Sequence, residues 1–259
     1  MRDVFDLFLF TGQSNMAGRG IVNQEHPEEA PSILDGAGYE YRAVTSPDCL
    51  HVLSEPFGVD ENRVDGIDDS IDGAPAKTGS MVTSFANEYF LETGVPVIGI
   101  SASKGRSSIS EWCPGEAYYL DMMDRLESFR NFASTHDIRI RHSYVLFAQG
   151  ERDSRLGTSS EEYERNLISF WNALKQNAGM ERLFIVAIGC MNRPGQEHLF
   201  DRIRNLQKDI ASRLDDIFIV SDSFKDMLAR GSMKDELHYY QEAYNFIGRE
   251  AASKIAELT

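Results

Sequence analysis

The 259-residue sequence has few cysteines, and the three that it has lie far apart, at Cys49, Cys113 and Cys190. No C-x-x-C pair occurs, and an odd number of isolated cysteines argues against both a disulfide framework and a zinc site. No hydrophobic run approaches the length that a membrane-spanning helix requires. These absences predict a soluble protein that has neither structural disulfides nor a bound metal.

Positive charge is also scarce, since 26 Lys and Arg residues stand against 41 Asp and Glu residues and give a net charge of −15. A surface of this sign repels nucleic-acid phosphates and anionic lipids, so we expect neither nucleic acid nor membrane as a partner. The N-terminal stretch MRDVFDLFLF has acidic residues inside its apolar run, and no small-residue cleavage site follows it. It predicts a first strand rather than a signal peptide, and hence a cytoplasmic protein.

Apolar runs of strand length alternate with segments of helical periodicity. The strand-like runs are 4–11, 95–101, 143–148, 183–189 and 217–221, and the helix-like segments are 80–92, 117–134, 160–177, 196–214 and 240–257. The runs are nearly continuous in Val, Ile and Phe, as expected for strands covered on both faces. The alternation predicts a single α/β domain over residues 1–259 with a parallel sheet. Residues 19–79 interrupt this alternation of strands and helices, and we expect a long loop there.

Within that loop, the stretch DDSIDG is similar to the beginning of a calcium-binding EF-hand loop. Asp68, Ser70, Asp72 and Gly73 fit its positions 1, 3, 5 and 6. The twelfth position, which requires Glu, is Gly79, and no helix pair flanks the segment. We therefore interpret this stretch as a solvated acidic loop and expect no metal site.

Polar residues follow several of the predicted strands, at the edge where parallel α/β sheets bind their ligands. The first strand leads into 12–15 (GQSN), the second into 101–112 and the third into 148–155, while Asp235 and His238 precede the last helix. Each signal has an ordinary structural explanation, because serine and aspartate commonly cap helices. The combination favours a catalytic site.

A serine nucleophile needs a base to take its proton, and the base needs a carboxylate to fix its tautomer. His238 and Asp235 can supply both to Ser14. The tetrahedral intermediate also needs hydrogen-bond donors for its oxyanion. The backbone N–H groups of Ser14 and Gly105 and the side-chain amide of Gln149 can converge there from the ends of three strands.

Four stretches together resemble the sequence blocks of the SGNH hydrolase superfamily, and most closely its branch of carbohydrate esterase family six and sialate O-acetylesterases. They are GQSNMAG at 12–18, GRSSISEW at 105–112, QGERD at 149–153 and DELH at 235–238. The resemblance implies a flavodoxin-like, three-layer α/β/α fold with a five-stranded parallel sheet. It implies Ser14 as the nucleophile, without any cofactor.

In the same resemblance, His238 is the base, Asp235 orients it, and the backbone of Ser14, the backbone of Gly105 and the side chain of Gln149 form the oxyanion hole. The sequence departs from the family pattern at two positions. Arg106 stands where the family usually has Gly, and Arg152 where it usually has Ser.

Four residues beside these blocks are predicted to bind substrate: Gln13, Arg106, Glu151 and Arg152. A guanidinium pairs bidentately with a carboxylate, so the two arginines favour an acidic sugar such as O-acetylated sialic acid over neutral xylan. The alternative is that they pair with Glu111, Glu151 or Asp153 and only hold the loops.

The predicted function is the release of acetate from an acetylated carbohydrate, either of the sialic acid or of the xylo-oligosaccharide type. Two alternatives remain open at this point. One is an SGNH lipase or thioesterase acting on other acyl esters, and the other is a sugar-binding module that keeps the fold without turnover. A flavin- or nucleotide-binding protein fits the fold, but the first strand is not followed by a glycine-rich phosphate loop. The oligomeric state is not predicted.

Overall fold

The structure is a computed structural model, and it describes residues 4–62, 70–71, 74–75 and 77–259. Its strands are β1 (Val4–Gly12), β2 (Gly38–Arg42), β3 (Ser46–Val52), β4 (Ser70–Ile71), β5 (Ala74–Pro75), β6 (Val97–Ser103), β7 (Arg139–Ala148), β8 (Arg182–Val186) and β9 (Ile217–Ser221). Its α-helices are α1 (Ser14–Ala17), α2 (Val82–Thr93), α3 (Ala117–Thr135), α4 (Glu151–Leu156), α5 (Ser160–Ala178), α6 (Asp201–Arg213) and α7 (Gln241–Leu258). Short 3₁₀ helices span Val59–Glu61, Ile109–Trp112 and Ser223–Asp226.

Seven strands form the main sheet, in the order β3-β2-β6-β1-β7-β8-β9. All neighbouring pairs are parallel except β2 and β3, which are antiparallel. The five predicted strands correspond to β1, β6, β7, β8 and β9, which lie side by side. The predicted α/β fold is confirmed, with two more strands in the sheet than expected.

The two additional strands lie inside 19–79, which the sequence predicted to be a loop. β2 pairs with β6, and β3 forms the edge of the sheet. Most of β3 is exposed, and its sequence SPDCLHV carries a proline and an aspartate, which are typical of edge strands. A strand that is mostly exposed has no continuous apolar run, and therefore the hydrophobic pattern did not reveal it.

Side chains that alternate along β1 pack on opposite faces of the sheet. Leu7 and Leu9 belong to a buried cluster that includes residues of α3, α5 and α6. Phe8 and Phe10 belong to a second cluster, with residues of α2 and α7. Because successive side chains of a strand point to opposite faces, β1 is covered on both sides, and the molecule has three layers.

Two findings concern only the part of the chain that the structure describes. There, no group of three or more His, Cys, Asp or Glu side chains is arranged to hold a metal ion. The helices of these residues also fall short of the length and apolarity needed to cross a membrane. Asp68, Asp72 and Gly73, on which the calcium alternative depends, lie outside the described residues.

Candidate active site

The serine predicted to be the nucleophile follows directly from the end of the central strand. β1 ends at Gly12, where φ is +134°, and the chain then turns into α1, whose first residue is Ser14. Two backbone hydrogen bonds fix this exit: Gln13 N–H donates to the Ala148 carbonyl, and Lys104 N–H donates to the Gly12 carbonyl, each at 2.8 Å. The ends of β1, β6 and β7 are thereby held together.

Ser14, His238 and Asp235 form a continuous chain of hydrogen bonds, although Ser14 and His238 are 224 positions apart. Ser14 Oγ lies 2.9 Å from His238 Nε2, and His238 Nδ1 lies 2.9 Å from Asp235 Oδ2. Asp235 Oδ1 accepts the backbone N–H groups of Leu237 and His238, both at 2.8 Å. The carboxylate therefore fixes both the turn and the imidazole ring that the turn carries.

Asp235 is held in its ionised form. Burial raises the pKa of Asp235, but the hydrogen bonds from His238 and from the backbone N–H of Leu237 outweigh it and lower the pKa to about 2. A carboxylate with this pKa is charged throughout the range in which an imidazole changes its protonation. Its role as an acceptor for the histidine is thus available at any pH at which the histidine can act as a base.

The side chain of Gln149, predicted to donate to the oxyanion, is fully buried just beyond the end of β7. Its Nε2 donates to the Ser107 carbonyl at 3.0 Å and to Asp153 Oδ2. Both amide hydrogens are engaged in this arrangement, so Gln149 ties together the loops that follow β6 and β7. Its contribution to an oxyanion hole with Ser14 and Gly105 stays a prediction.

Two residues predicted to bind substrate lie in the interior instead. Gln13 is buried, and its Oε1 accepts the backbone N–H groups of Gly150 and Arg152, both at 3.2 Å. Glu151 is also buried, and its Oε1 accepts Asn15 Nδ2 at 2.7 Å. One side-chain oxygen of each residue therefore holds the loops around Ser14. A role of Gln13 or Glu151 in binding substrate stays a prediction.

Arg106 and Arg152, the other two predicted substrate-binding residues, are exposed. Arg106 has a φ of +66°, in the left-handed region that favours glycine, which accounts for the glycine usual in the family at this position. In the described part of the chain, neither arginine forms a salt bridge. The alternative that they pair with neighbouring carboxylates is therefore not what the structure shows.

The carboxylates considered for that pairing bind other groups. Glu111 accepts the backbone N–H and the hydroxyl of Ser108, in the capping box of a 3₁₀ helix. Asp153 accepts the backbone N–H of Ile109 at 2.9 Å and the hydroxyl of Thr158 at 3.1 Å. Among the described residues, these carboxylates thus serve the loops and do not pair with Arg106 or Arg152.

Asn15 received no role from the sequence, although it stands next to Ser14 in the first block. Its Nδ2 donates to Glu151 and, at 3.2 Å, to the Leu237 carbonyl, and its Oδ1 accepts the hydroxyl of Tyr244 at 2.7 Å. One side chain thus joins the first, third and fourth blocks. The only sequence signal for this role is an amide beside the nucleophile at the beginning of a one-turn helix.

Comparisons with known proteins identify the family and the fold of the chain. A sequence model of the family described as carbohydrate esterase, sialic acid-specific acetylesterase matches residues 4–257. The chain is 28% identical to the probable carbohydrate esterase At4g34215 of Arabidopsis thaliana over 264 residues, which cover 95% of this chain and 88% of that protein.

Solved structures have a similar fold. The crystal structure of the Arabidopsis thaliana protein AT4G34215 superposes with a TM-score of 0.69 and 22% identity, over 98% of this chain and 99% of that chain. The structure of XAC1771, a carbohydrate acetylesterase from Xanthomonas citri, superposes with a TM-score of 0.62 and 16% identity, over 98% of this chain and 57% of that chain.

The fold is that of the SGNH-type hydrolases. Because the family model spans nearly the whole sequence, the chain belongs to the carbohydrate esterase family of sialic acid-specific acetylesterases.

Proposed function

We propose that the protein is a carbohydrate O-acetylesterase that releases acetate through a covalent acetyl intermediate on Ser14. The observation that carries the proposal is the hydrogen-bonded series in which Ser14 Oγ lies 2.9 Å from His238 Nε2 and His238 Nδ1 lies 2.9 Å from Asp235. This is the spacing that a serine nucleophile and its base require. Membership of a carbohydrate esterase family supports the sugar ester as the substrate class.

In the first half of the proposed reaction, Ser14 Oγ attacks the carbonyl carbon of the acetyl group. His238 Nε2 takes the hydroxyl proton as the new C–O bond forms, and the resulting imidazolium is stabilised by Asp235. Negative charge develops on the carbonyl oxygen, where the backbone N–H groups of Ser14 and Gly105 are the proposed donors. His238 then delivers its proton to the sugar oxygen as the bond between that oxygen and the carbonyl carbon breaks.

In the second half, a water molecule attacks the acetyl group on Ser14. His238 again accepts a proton, this time from the water, and returns it to Ser14 Oγ as acetic acid leaves and loses its remaining proton to the solvent. Each half-reaction uses His238 once as a base and once as an acid. The protein therefore ends the cycle in the protonation state in which it began, and no cofactor is needed.

Acetate release from a panel of esters tests this proposal. The panel comprises acetylated xylo-oligosaccharides, O-acetylated sialic acids and 4-nitrophenyl acetate, with 4-nitrophenyl palmitate for long acyl chains. We expect acetate from at least one of the sugars. Turnover of the palmitate ester alone would instead indicate a lipase, and sugar binding without any release would indicate a binding module.

We further propose that the preferred sugar carries a carboxylate, which Arg106 and Arg152 bind. Both arginines are exposed beside the proposed oxyanion donors and form no salt bridge within the described residues, in a chain whose net charge is −15. Holding a non-glycine residue at a φ of +66° costs on the order of 1 kcal/mol. A contact with substrate is a functional reason to keep an arginine at such a position.

Arg106→Gly is expected to reduce kcat/KM on O-acetylated sialic acid by roughly 10- to 150-fold, the equivalent of a lost charged hydrogen bond of about 1.5–3 kcal/mol. It should leave kcat/KM on acetylated xylobiose nearly unchanged, because that sugar offers the guanidinium no carboxylate. Arg202→Gln, on the exposed surface of α6, changes the net charge equally and serves as the control. Equal losses on both sugars would assign Arg106 a structural role.

A further inference from the structure

Glu151 is a buried carboxylate for which the proposed mechanism has no use. It is 3% exposed, at the beginning of α4. One of its oxygens accepts Asn15 Nδ2 at 2.7 Å, while the other has no hydrogen-bond partner among the described residues. Burying a carboxylate costs several kcal/mol unless hydrogen bonds or opposite charge compensate. A group so placed calls for a function that a neutral side chain would not provide.

The contact of Glu151 with Asn15 leads directly to the two central groups of the site. Asn15 follows Ser14 in the chain, and its Nδ2 also donates to the carbonyl of Leu237, the residue before His238, at 3.2 Å. The hydroxyl of Tyr244 donates to the opposite end of the same amide at 2.7 Å, which fixes the orientation of the amide. Glu151 therefore has a defined position relative to both the nucleophile and the base.

Two carboxylates are connected to His238, and they differ in their exposure to solvent: Asp235 bonds to its ring directly, and Glu151 is linked through Asn15 to the carbonyl of the preceding residue. The side chain of Asp235, which bonds to the imidazole, is 47% exposed, whereas Glu151 is buried. Water screens the charge of an exposed group, and the same charge acts more strongly in the protein interior. The more distant carboxylate can therefore still contribute to stabilising a positive charge on His238.

Glu151 and His238 also interact through their charges. Burial raises the pKa of Glu151 above its ordinary value, and the hydrogen bond from Asn15 and the charge of protonated His238 offset only part of this rise. The other titratable groups that face this pair are Asp153 on α4, Tyr163 on α5, Tyr239 beside His238, and Lys234 and Asp235 in the turn before it.

We propose that Glu151 is a positioning residue of the esterase, whose buried charge, held in place by Asn15, stabilises the imidazolium that His238 forms when it takes the proton of Ser14. The inference rests on the proposed function, since it assigns His238 the role of base. Asp235 orients the imidazole ring from the solvent side, and Glu151 supplies negative charge from the interior.

Glu151→Gln tests the charge, because glutamine has the same shape and keeps an oxygen for Asn15. We expect kcat for acetate release to fall about tenfold with KM little changed. We also expect the acidic limb of the kcat profile to move about one pH unit towards lower pH. The direction follows because the loss of a negative charge disfavours the imidazolium, and a lower pH is then needed to protonate His238.

Two further variants make the result specific. Glu236→Gln removes a carboxylate from the same turn, but its side chain is 54% exposed, so kcat and the acidic limb should be unchanged. Glu151→Asp keeps the charge and withdraws the acceptor from Asn15, so kcat should fall while the acidic limb stays in place. If Glu151→Gln does not fold, a shifted acidic limb in Glu151→Asp would overturn the proposal.

Wild-type kcat and an unshifted acidic limb in a folded Glu151→Gln protein would equally overturn it. Failure of the proposed function is distinguishable, because then the wild-type protein releases no acetate or Ser14→Ala releases it at the wild-type rate. In that case an NMR titration of the His238 ring, in the wild type and in Glu151→Gln, still measures the electrostatic effect without turnover. Identical titration curves would remove the proposed coupling.

Discussion

Replacing Ser14 with alanine is expected to lower kcat for acetate release by a factor of about 10⁴–10⁶, the range measured when one member of a serine hydrolase triad is removed. The change deletes the oxygen that lies 2.9 Å from His238 Nε2 and leaves no group that can carry the acetyl intermediate. A quantitative acetate assay on the best substrate of the panel measures the effect. Circular dichroism and thermal unfolding establish that the variant is folded.

The matched control for this variant is Ser253→Ala, which removes a hydroxyl from α7 whose one described contact is with Glu88 at 3.4 Å. That variant should retain wild-type turnover. A folded Ser14→Ala protein with near-wild-type kcat would exclude Ser14 as the nucleophile. His238→Ala should cause a loss of the same order as Ser14→Ala, because the two side chains act in one step.

Replacing Gly12 with alanine is expected to have the largest effect on stability, reducing the free energy of unfolding by more than about 3 kcal/mol. A Cβ at this position would lie 2.2 Å from the carbonyl oxygen of Ala148 and 2.7 Å from its carbonyl carbon. Both atoms belong to the backbone of β7, in the middle of the sheet, and cannot move aside cheaply. The φ of +134° adds strain for any residue with a side chain.

Chemical denaturation of Gly12→Ala and Gly94→Ala separates these two causes. Gly94 ends α2 with a φ of +69°, and a Cβ there would meet nothing within 4 Å. Gly94→Ala should therefore lose only the conformational cost, on the order of 1 kcal/mol. If both variants were equally stable, the contact with Ala148 would not determine the shape of the chain before Ser14.

The parts of the fold that the sequence predicted are those with a strong hydrophobic pattern. Continuous apolar runs predicted the five strands β1, β6, β7, β8 and β9, and helical periodicity predicted the five long helices. The ends of these elements agree with the prediction within five residues. β2 and β3 were not predicted, because β2 carries the buried, charged Glu40 between two tyrosines and most of β3 is exposed, so that neither has a continuous apolar run. The one-turn helix α1 is too short to have any periodicity.

The grouping of the site was predictable for a different reason. The carboxyl ends of parallel strands meet at one edge, so residues that follow separate strands were expected near one another. The direction in which each side chain points could not be predicted in this way. Gln13 and Glu151 stand beside predicted catalytic residues, yet they face inwards, because the loops need acceptors for the N–H groups of Gly150, Arg152 and Asn15. Proximity in the sequence does not distinguish a ligand contact from an internal hydrogen bond.

The 224 positions between Ser14 and His238 also determine when the proposed enzyme can first act. During synthesis the nucleophile leaves the ribosome early, while its base leaves late and is followed by α7, which packs against α2. Until the turn that carries His238 has been synthesised and has packed beside Ser14, the proposed nucleophile has no base. For the proposed enzyme, ester cleavage can therefore begin only after this turn has folded against the end of β1, and the onset of cleavage during translation would time that folding step.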